Sequence, residues 1–193
     1  MKLFFIRHGE SEYGARKTTV GWDNPALSQL GEEQSREAAK NLRDKNIDAI
    51  FSSDLKRAHQ TALIIRQEIV RNREGVPLMI DWRLREKYYG SKENRPYGEL
   101  DWAKIDGGDE EYHVLHGIET SKSLLARLES FLTDLTFLPP KPGNILIATS
   151  GGILVELARI LQPDTTDLRF KNCTIREYDL DELLGRISDG RAR

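Results

Sequence analysis

Apolar positions along this chain fall into two patterns. Short unbroken runs at 3–6 (Leu-Phe-Phe-Ile) and 145–149 (Ile-Leu-Ile-Ala-Thr), each soon followed by glycine, read as buried strands ending in loops. Positions 47–52 (Ile-Asp-Ala-Ile-Phe-Ser) read as another strand. Elsewhere the apolar period is helical. Ser28 is placed to cap a helix with Glu32, Glu33 and Gln34 in its first turns, and Ala38, Ala39 and Leu42 carry it to about position 45. Ser53 and Asp54 open a second helix over 54–71. Leu124, Leu125, Leu128, Phe131, Leu132 and Leu135 share one face of a third, which Pro139, Pro140, Pro142 and Gly143 stop before the strand at 145. Positions 153–161 then form an apolar helix packed on that strand. Positions 172–180 alternate like a last, edge strand, and the polar tail beyond Gly185 is expected to fray.

This alternation predicts an α/β fold of three layers, α/β/α, with a mostly parallel central sheet covered by helices on both faces. Positions 88–117 break the pattern, being rich in Gly, Asp, Glu and Tyr without periodicity, and read as a variable lid excursion over the active-site end of the sheet. A length of 193 residues suits one domain with one core. With 38% hydrophobic and 31% charged residues and a net charge of -2, the chain is expected to be soluble, without a nucleic-acid or membrane footprint. An anion site must therefore be local. Cys173 is the single cysteine, so neither an intramolecular disulfide nor a zinc ribbon can be drawn. The apolar opening is cut at Arg7, too short for a signal core or a spanning helix, so a cytoplasmic location is expected.

Arg7-His8-Gly9-Glu10-Ser11 places a histidine just after a predicted strand, between a cation and a glycine that lets a ligand approach the backbone. An imidazole with one unprotonated nitrogen can attack phosphorus, and a guanidinium offers forked donors to the other oxygens. A strand-end histidine beside a surface arginine is the plainer reading of the same residues.

That pentapeptide resembles the signature of the histidine phosphatase (phosphoglycerate-mutase-like) superfamily. Three further blocks follow in the family's order: 27–34 (Leu-Ser-Gln-Leu-Gly-Glu-Glu-Gln), 52–62 (Ser-Ser-Asp-Leu-Lys-Arg-Ala-His-Gln-Thr-Ala), and Leu84-Arg85-Glu86 with Gly90. Weaker matches are 117–120 (Gly-Ile-Glu-Thr) with Arg127, and 172–175 (Asn-Cys-Thr-Ile). The resemblance implies a phosphomonoester hydrolase that needs no cofactor or metal. His8 would accept the phosphoryl group, Arg7 and Arg57 would hold its oxygens, and Glu86 would protonate the leaving oxygen and then activate water. Ser11, Gly14 and Gly151 join the substrate-binding set. Where the family has a second catalytic histidine, this chain has Ser150, and where many relatives have an asparagine it has Gly14. A neutral hydroxyl gives a weaker hydrogen bond than an imidazolium, so transition-state stabilisation should suffer.

Three readings stay open for Ser150: a weakened phosphatase, a phosphate-binding relative without turnover, or a chain in which the histidine was replaced. His59, His113 and His116 are expected to be ordinary surface residues, with one from the excursion as a conceivable substitute. A cofactor-dependent phosphoglycerate-type mutase is the alternative enzyme, suggested by 86–90 (Glu-Lys-Tyr-Tyr-Gly). Against it, 93–117 offers Arg95 and Lys104 amid seven carboxylates, an acidic setting for an acid substrate. The expected partner is a small phosphorylated substrate, and the chain is expected to be a monomer or homodimer. Tyr97, Trp102 and Tyr112 could stack on a sugar or nucleoside, or pin the excursion to the domain.

Overall fold

Successive residues of the first strand feed opposite faces of a sheet. Leu3 and Phe5 pack into one hydrophobic cluster while Phe4 and Ile6 pack into another, which is why this run is apolar without alternation. The computed structural model describes residues 1–70, 75–139, 142–161 and 170–191. In chain order its elements are β1 (Lys2–Arg7), α1 (Glu12–Ala15), α2 (Gln29–Lys40), β2 (Ala49–Ser52), α3 (Lys56–Val70), β3 (Leu78–Ile80), α4 (Trp102–Gly107), α5 (Glu110–His116), α6 (Ser121–Leu135), β4 (Asn144–Thr149), α7 (Gly151–Leu161), β5 (Ile175–Asp179) and α8 (Leu180–Arg191).

The strand order is β3-β2-β4-β1-β5, with every pairing parallel except β1 with β5. Helices α2 and α3 cover one face through Ala38, Ala39, Ala62 and Ile65, joined by Leu42 just beyond α2. The other face lies under α6, α7 and α8, through residues such as Leu128, Phe131, Leu157 and Leu183. The expected three layers and mostly parallel sheet are present. No helix among the described residues is long and apolar enough to cross a membrane.

Several local expectations change. The helix expected to reach position 45 ends at Lys40, and a 3-10 turn over Arg43–Lys45 closes on Asn46 in the left-handed region at φ 48°. The next helix starts at Lys56 rather than Asp54, because Ser53 spends its hydroxyl on the Leu55 amide, 3.2 Å away. Its expected end at Arg71, like the stop at Pro140, lies outside the described residues. Strand β3 was not anticipated, since three half-exposed residues show no period. Within 88–117, Asp101 and Asp109 cap two short helices that Gly108 and Gly117 terminate, and the segment has its own cluster of Leu100, Ile105 and Ile118 with Tyr89, Trp102 and Tyr112.

The tail is the largest correction. Instead of fraying beyond Gly185, it forms α8, whose Leu180, Leu183 and Ile187 recur at helical spacing and are at most 2% exposed. Replacing Ile187 by Ala should therefore lower the unfolding free energy by about 2–5 kcal/mol in urea titration, whereas a frayed tail would leave it within about 0.5 kcal/mol.

Candidate active site

Parallel β1 and β4 end level with one another, Arg7 opposite Thr149, so the residues that follow them emerge side by side at the carboxyl edge of the sheet. His8 is the first such residue. Its amide donates to Thr149 O at 2.9 Å and its carbonyl accepts from Asn172 Nδ2 at 3.0 Å. The loop beyond it crosses the start of α2 backbone against backbone. A Cβ on Gly9 would sit 2.3 Å from Gly31 O, and one on Gly31 would sit 2.0 Å from Glu10 O, so both positions demand glycine. Side chains then lock the crossing. Ser28 Oγ accepts from the Gly31 amide at 3.1 Å and donates to Glu10 Oε1 at 2.8 Å, while Gln34 Oε1 accepts from the Glu10 amide at 2.9 Å. From α3, Thr61 Oγ1 accepts from the Gly9 amide at 3.0 Å.

The His8 ring is thus fixed in place, and its hydrogen bonds define its tautomer. Nδ1–H donates to Gly9 O at 2.6 Å, and Nε2 accepts from Arg57 Nε at 3.1 Å. Burial, reinforced by the charges of Arg57 and Arg7, holds the imidazole well below its ordinary pKa, so it is neutral with its lone pair on Nε2. That nitrogen has the electronic state of a nucleophile.

Arg57 lies in the first turn of α3 and is fully buried. Its terminal nitrogens donate to Gly21 O at 2.7 Å and Asp23 O at 2.8 Å. Burial pulls its pKa down, with Glu86 and Glu93 opposing, yet a guanidinium keeps its charge. Arg7 donates to Phe170 O, and its Nε is buried without a hydrogen-bond partner. Among the described residues no carboxylate forms an ion pair with either arginine. Two cations beside a neutral imidazole, unmatched by a contacting acid, make a site for an anion.

Glu86 approaches from beyond β3. Its Oε1 accepts from the amide of Gly152 in the first turn of α7 at 2.9 Å and from that of Lys87 at 2.8 Å. A Cβ at Gly152 would stand 2.1 Å from that oxygen, so the glycine makes room for the carboxylate. Behind Glu86, the nearly buried Arg127 pairs with Glu119 at 2.8 Å and donates to the carbonyls of Arg83, Arg85 and Glu86 at 2.6, 2.8 and 3.0 Å. Trp22 Nε1 also donates to Glu86 O, at 2.8 Å. The Arg85-Glu86-Lys87 run is accordingly no solvated charge patch. Arg85 forks onto Asp54 at 2.8 and 2.5 Å, and Lys87 is buried, which pushes its ammonium below the usual lysine range.

Arg7, His8, Ser11, Gly14, Arg57, Glu86 and Gly151 line one cavity of about 560 Å³. Seven of the eight residues expected at the site are thereby brought together. Ser150 is not on that wall: it is fully buried, and its hydroxyl has no hydrogen-bond partner. The other histidines stay away from the cavity. His59 contacts Ser52 Oγ and His116 contacts Ser91 Oγ, while His113, expected at the surface, is buried against Ile105 O at 3.0 Å. Glu10 and Asn172 are wall residues that their motifs did not announce as such.

A family model described as the histidine phosphatase superfamily (branch 1) matches residues 3–188. The chain belongs to that superfamily. A relative from Enterobacter sp. named "Probable phosphoglycerate mutase GpmB" is 29% identical over 191 residues, covering 94% of this chain and 86% of the other. A mycobacterial glucosyl-3-phosphoglycerate phosphatase solved with VO3 superposes with a TM-score of 0.73 at 23% identity, covering 92% and 90% of the two chains. A phosphoserine phosphatase variant from Entamoeba histolytica, solved with phosphoserine, gives 0.74 at 23% identity over 92% and 90%. These structural likenesses establish the histidine phosphatase fold.

The buried neutral histidine has a pH signature. Nitrogen NMR of the folded protein should show His8 Nε2 still unprotonated at a pH where an ordinary imidazole, with its value near 6.5, is already protonated. Because the unfolded chain takes up this proton first, the stability linked to His8 is complete above about pH 6.5 and falls as pH drops below it. His8→Gln should flatten that acid slope in unfolding titrations, and an unchanged slope would contradict the buried neutral state.

Proposed function

We propose that this single-domain chain is a phosphomonoester hydrolase working through a phosphohistidine at His8. The observation that carries the reading is the contact between Arg57 Nε and the lone pair of His8 Nε2, beside a second arginine with an unpartnered buried N–H. In the first step Nε2 forms a bond to phosphorus and the ester P–O bond breaks, with Glu86 giving its proton to the leaving oxygen. As phosphorus arrives, the hydrogen bond that Arg57 Nε–H gives to Nε2 shifts to a non-bridging oxygen, the proton staying on the guanidinium, and Arg7 and the start of α7 add positive potential there. In the second step Glu86 takes a proton from water, whose oxygen bonds to phosphorus as the P–N bond breaks. Ser11, whose hydroxyl oxygen already accepts from the Gly14 amide at 3.1 Å, keeps its own proton for a phosphate oxygen.

Ser150 weakens this machinery, because a side chain that falls short of the cavity wall gives no charged donor to the transferring group. The mutase alternative is disfavoured by the cavity, since Arg95 and Lys104 do not line it and Lys104 faces Asp109 at 4.0 Å.

Incubation with a radiolabelled phosphomonoester and an alkaline quench should trap an alkali-stable, acid-labile label on the wild-type chain and none on His8→Ala. Label persisting on that variant would overturn the assignment. Ser150→His should raise turnover by about 10²–10³; no gain, together with phosphate binding, would favour a protein that binds without hydrolysing.

A further inference from the structure

Away from His8 the same cavity changes character. Its wall there is made of Tyr89, Tyr97 and Trp102 from the excursion, Val155 from α7, and Phe170. The three excursion rings brace one another edge to face. Trp102 meets Tyr89 at 6.1 Å and 83°, and Tyr97 at 5.9 Å and 73°. Trp102 Nε1 donates to Tyr97 O at 3.0 Å, so the one polar atom of the indole is already engaged and the remaining ring surface offers carbon. Leu100, Ile105 and Ile118 back this wall, so the rings are ordered by the protein's own packing and a ligand need not bear that entropic cost.

Charge is distributed to match. The cations of the described wall, Arg7 and Arg57, both stand at the His8 end, and the acids there are Glu10 and Glu86. A carboxylate carried on the alcohol half of a substrate would meet aromatic carbon, with no cation of the described wall beyond the two that hold the phosphoryl group. A ring would gain dispersion and edge-to-face contacts, and a cavity of about 560 Å³ accepts a ring in addition to a phosphoryl group.

Building on the phosphomonoesterase reading, we infer that the substrate is the phosphate monoester of an aromatic alcohol bearing no second negative charge, its ring seated among Tyr97, Trp102 and Phe170. The excursion is then a specificity wall.

Calorimetric titration of the full chain tests this without relying on turnover, using inorganic phosphate, ethylphosphonate, 2-phenylethylphosphonate and 2-carboxyethylphosphonate. The phenyl compound should bind about tenfold more tightly than the ethyl compound, and the carboxylate compound less tightly than either. Trp102→Ala should reduce the phenyl advantage to within about threefold. Tyr97→Ala, at a side chain already 38% exposed, should do the same if loss of the indole unfolds the segment. Leu115→Ala, on the outer side of α5, should preserve the advantage in full. Equal affinity for phenyl and ethyl compounds, or tightest binding of the carboxylate compound, would overturn the inference while leaving the phosphate site intact. Failure of all four probes, inorganic phosphate included, would overturn the phosphatase reading and the inference with it.

Discussion

A hydrogen bond between a buried guanidinium and a buried neutral imidazole organises this molecule. Arg57 donates to His8 Nε2 while Gly9 O takes the proton of Nδ1, so the ring can hold only one tautomer and one orientation. Both groups resist burial, the arginine because its charge leaves water and the histidine because protonation is denied to it. What makes the arrangement tolerable is a set of backbone carbonyls, Gly21 O and Asp23 O on one side and Gly9 O on the other. The chain has committed main-chain acceptors to the cation instead of carboxylates, which leaves its positive field unneutralised at contact range.

Much of the geometry of this site comes from crossings and clamps one layer behind the cavity wall. Gly9 and Gly31 let two backbones meet, Ser28 and Gln34 hold Glu10, and Arg127 gathers three carbonyls of the segment carrying Glu86. The excursion contributes to the same end. Glu93 accepts from the amides of Trp22 and Tyr89 at 2.7 and 3.3 Å and packs where Gly21 lacks a Cβ, so the acid that reaches in from the excursion steadies the loop that grips Arg57. Burial raises the pKa of Glu93, and those two amides oppose the rise. The excursion and the loop that holds Arg57 are in this way mechanically joined.

Ser150 sits in this setting as a buried hydroxyl without a hydrogen-bond partner, directly before the start of α7. An unmatched donor in a native interior costs free energy that packing elsewhere must offset. Its neighbours are otherwise in order: Thr149 Oγ1 donates to Leu84 O at 2.7 Å, and Gly152 serves Glu86. The unpartnered hydroxyl thus sits in a framework whose polar groups on either side, at Thr149 and Gly152, are matched.

The sequence alone determined four of the five strands, the helices α2, α3, α6 and α7 and the motif residues, because strand and helix periods and short motifs are local properties that survive without coordinates. It named Arg7, His8, Ser11, Gly14, Arg57, Glu86 and Gly151, and the fold draws these into one cavity. It misjudged the tail, because Leu180, Leu183 and Ile187 among polar neighbours declare a helix only once α6 and α7 supply a surface to bury them. It left 85–87 between solvated charge and chemistry; the run is packed rather than solvated because Asp54, Arg127 and the Gly152 amide of α7, all distant along the chain, engage it. Periodicity fixes which residues are apolar and how often; which lone pair points where depends on groups tens to hundreds of positions apart, and only tertiary packing brings them together.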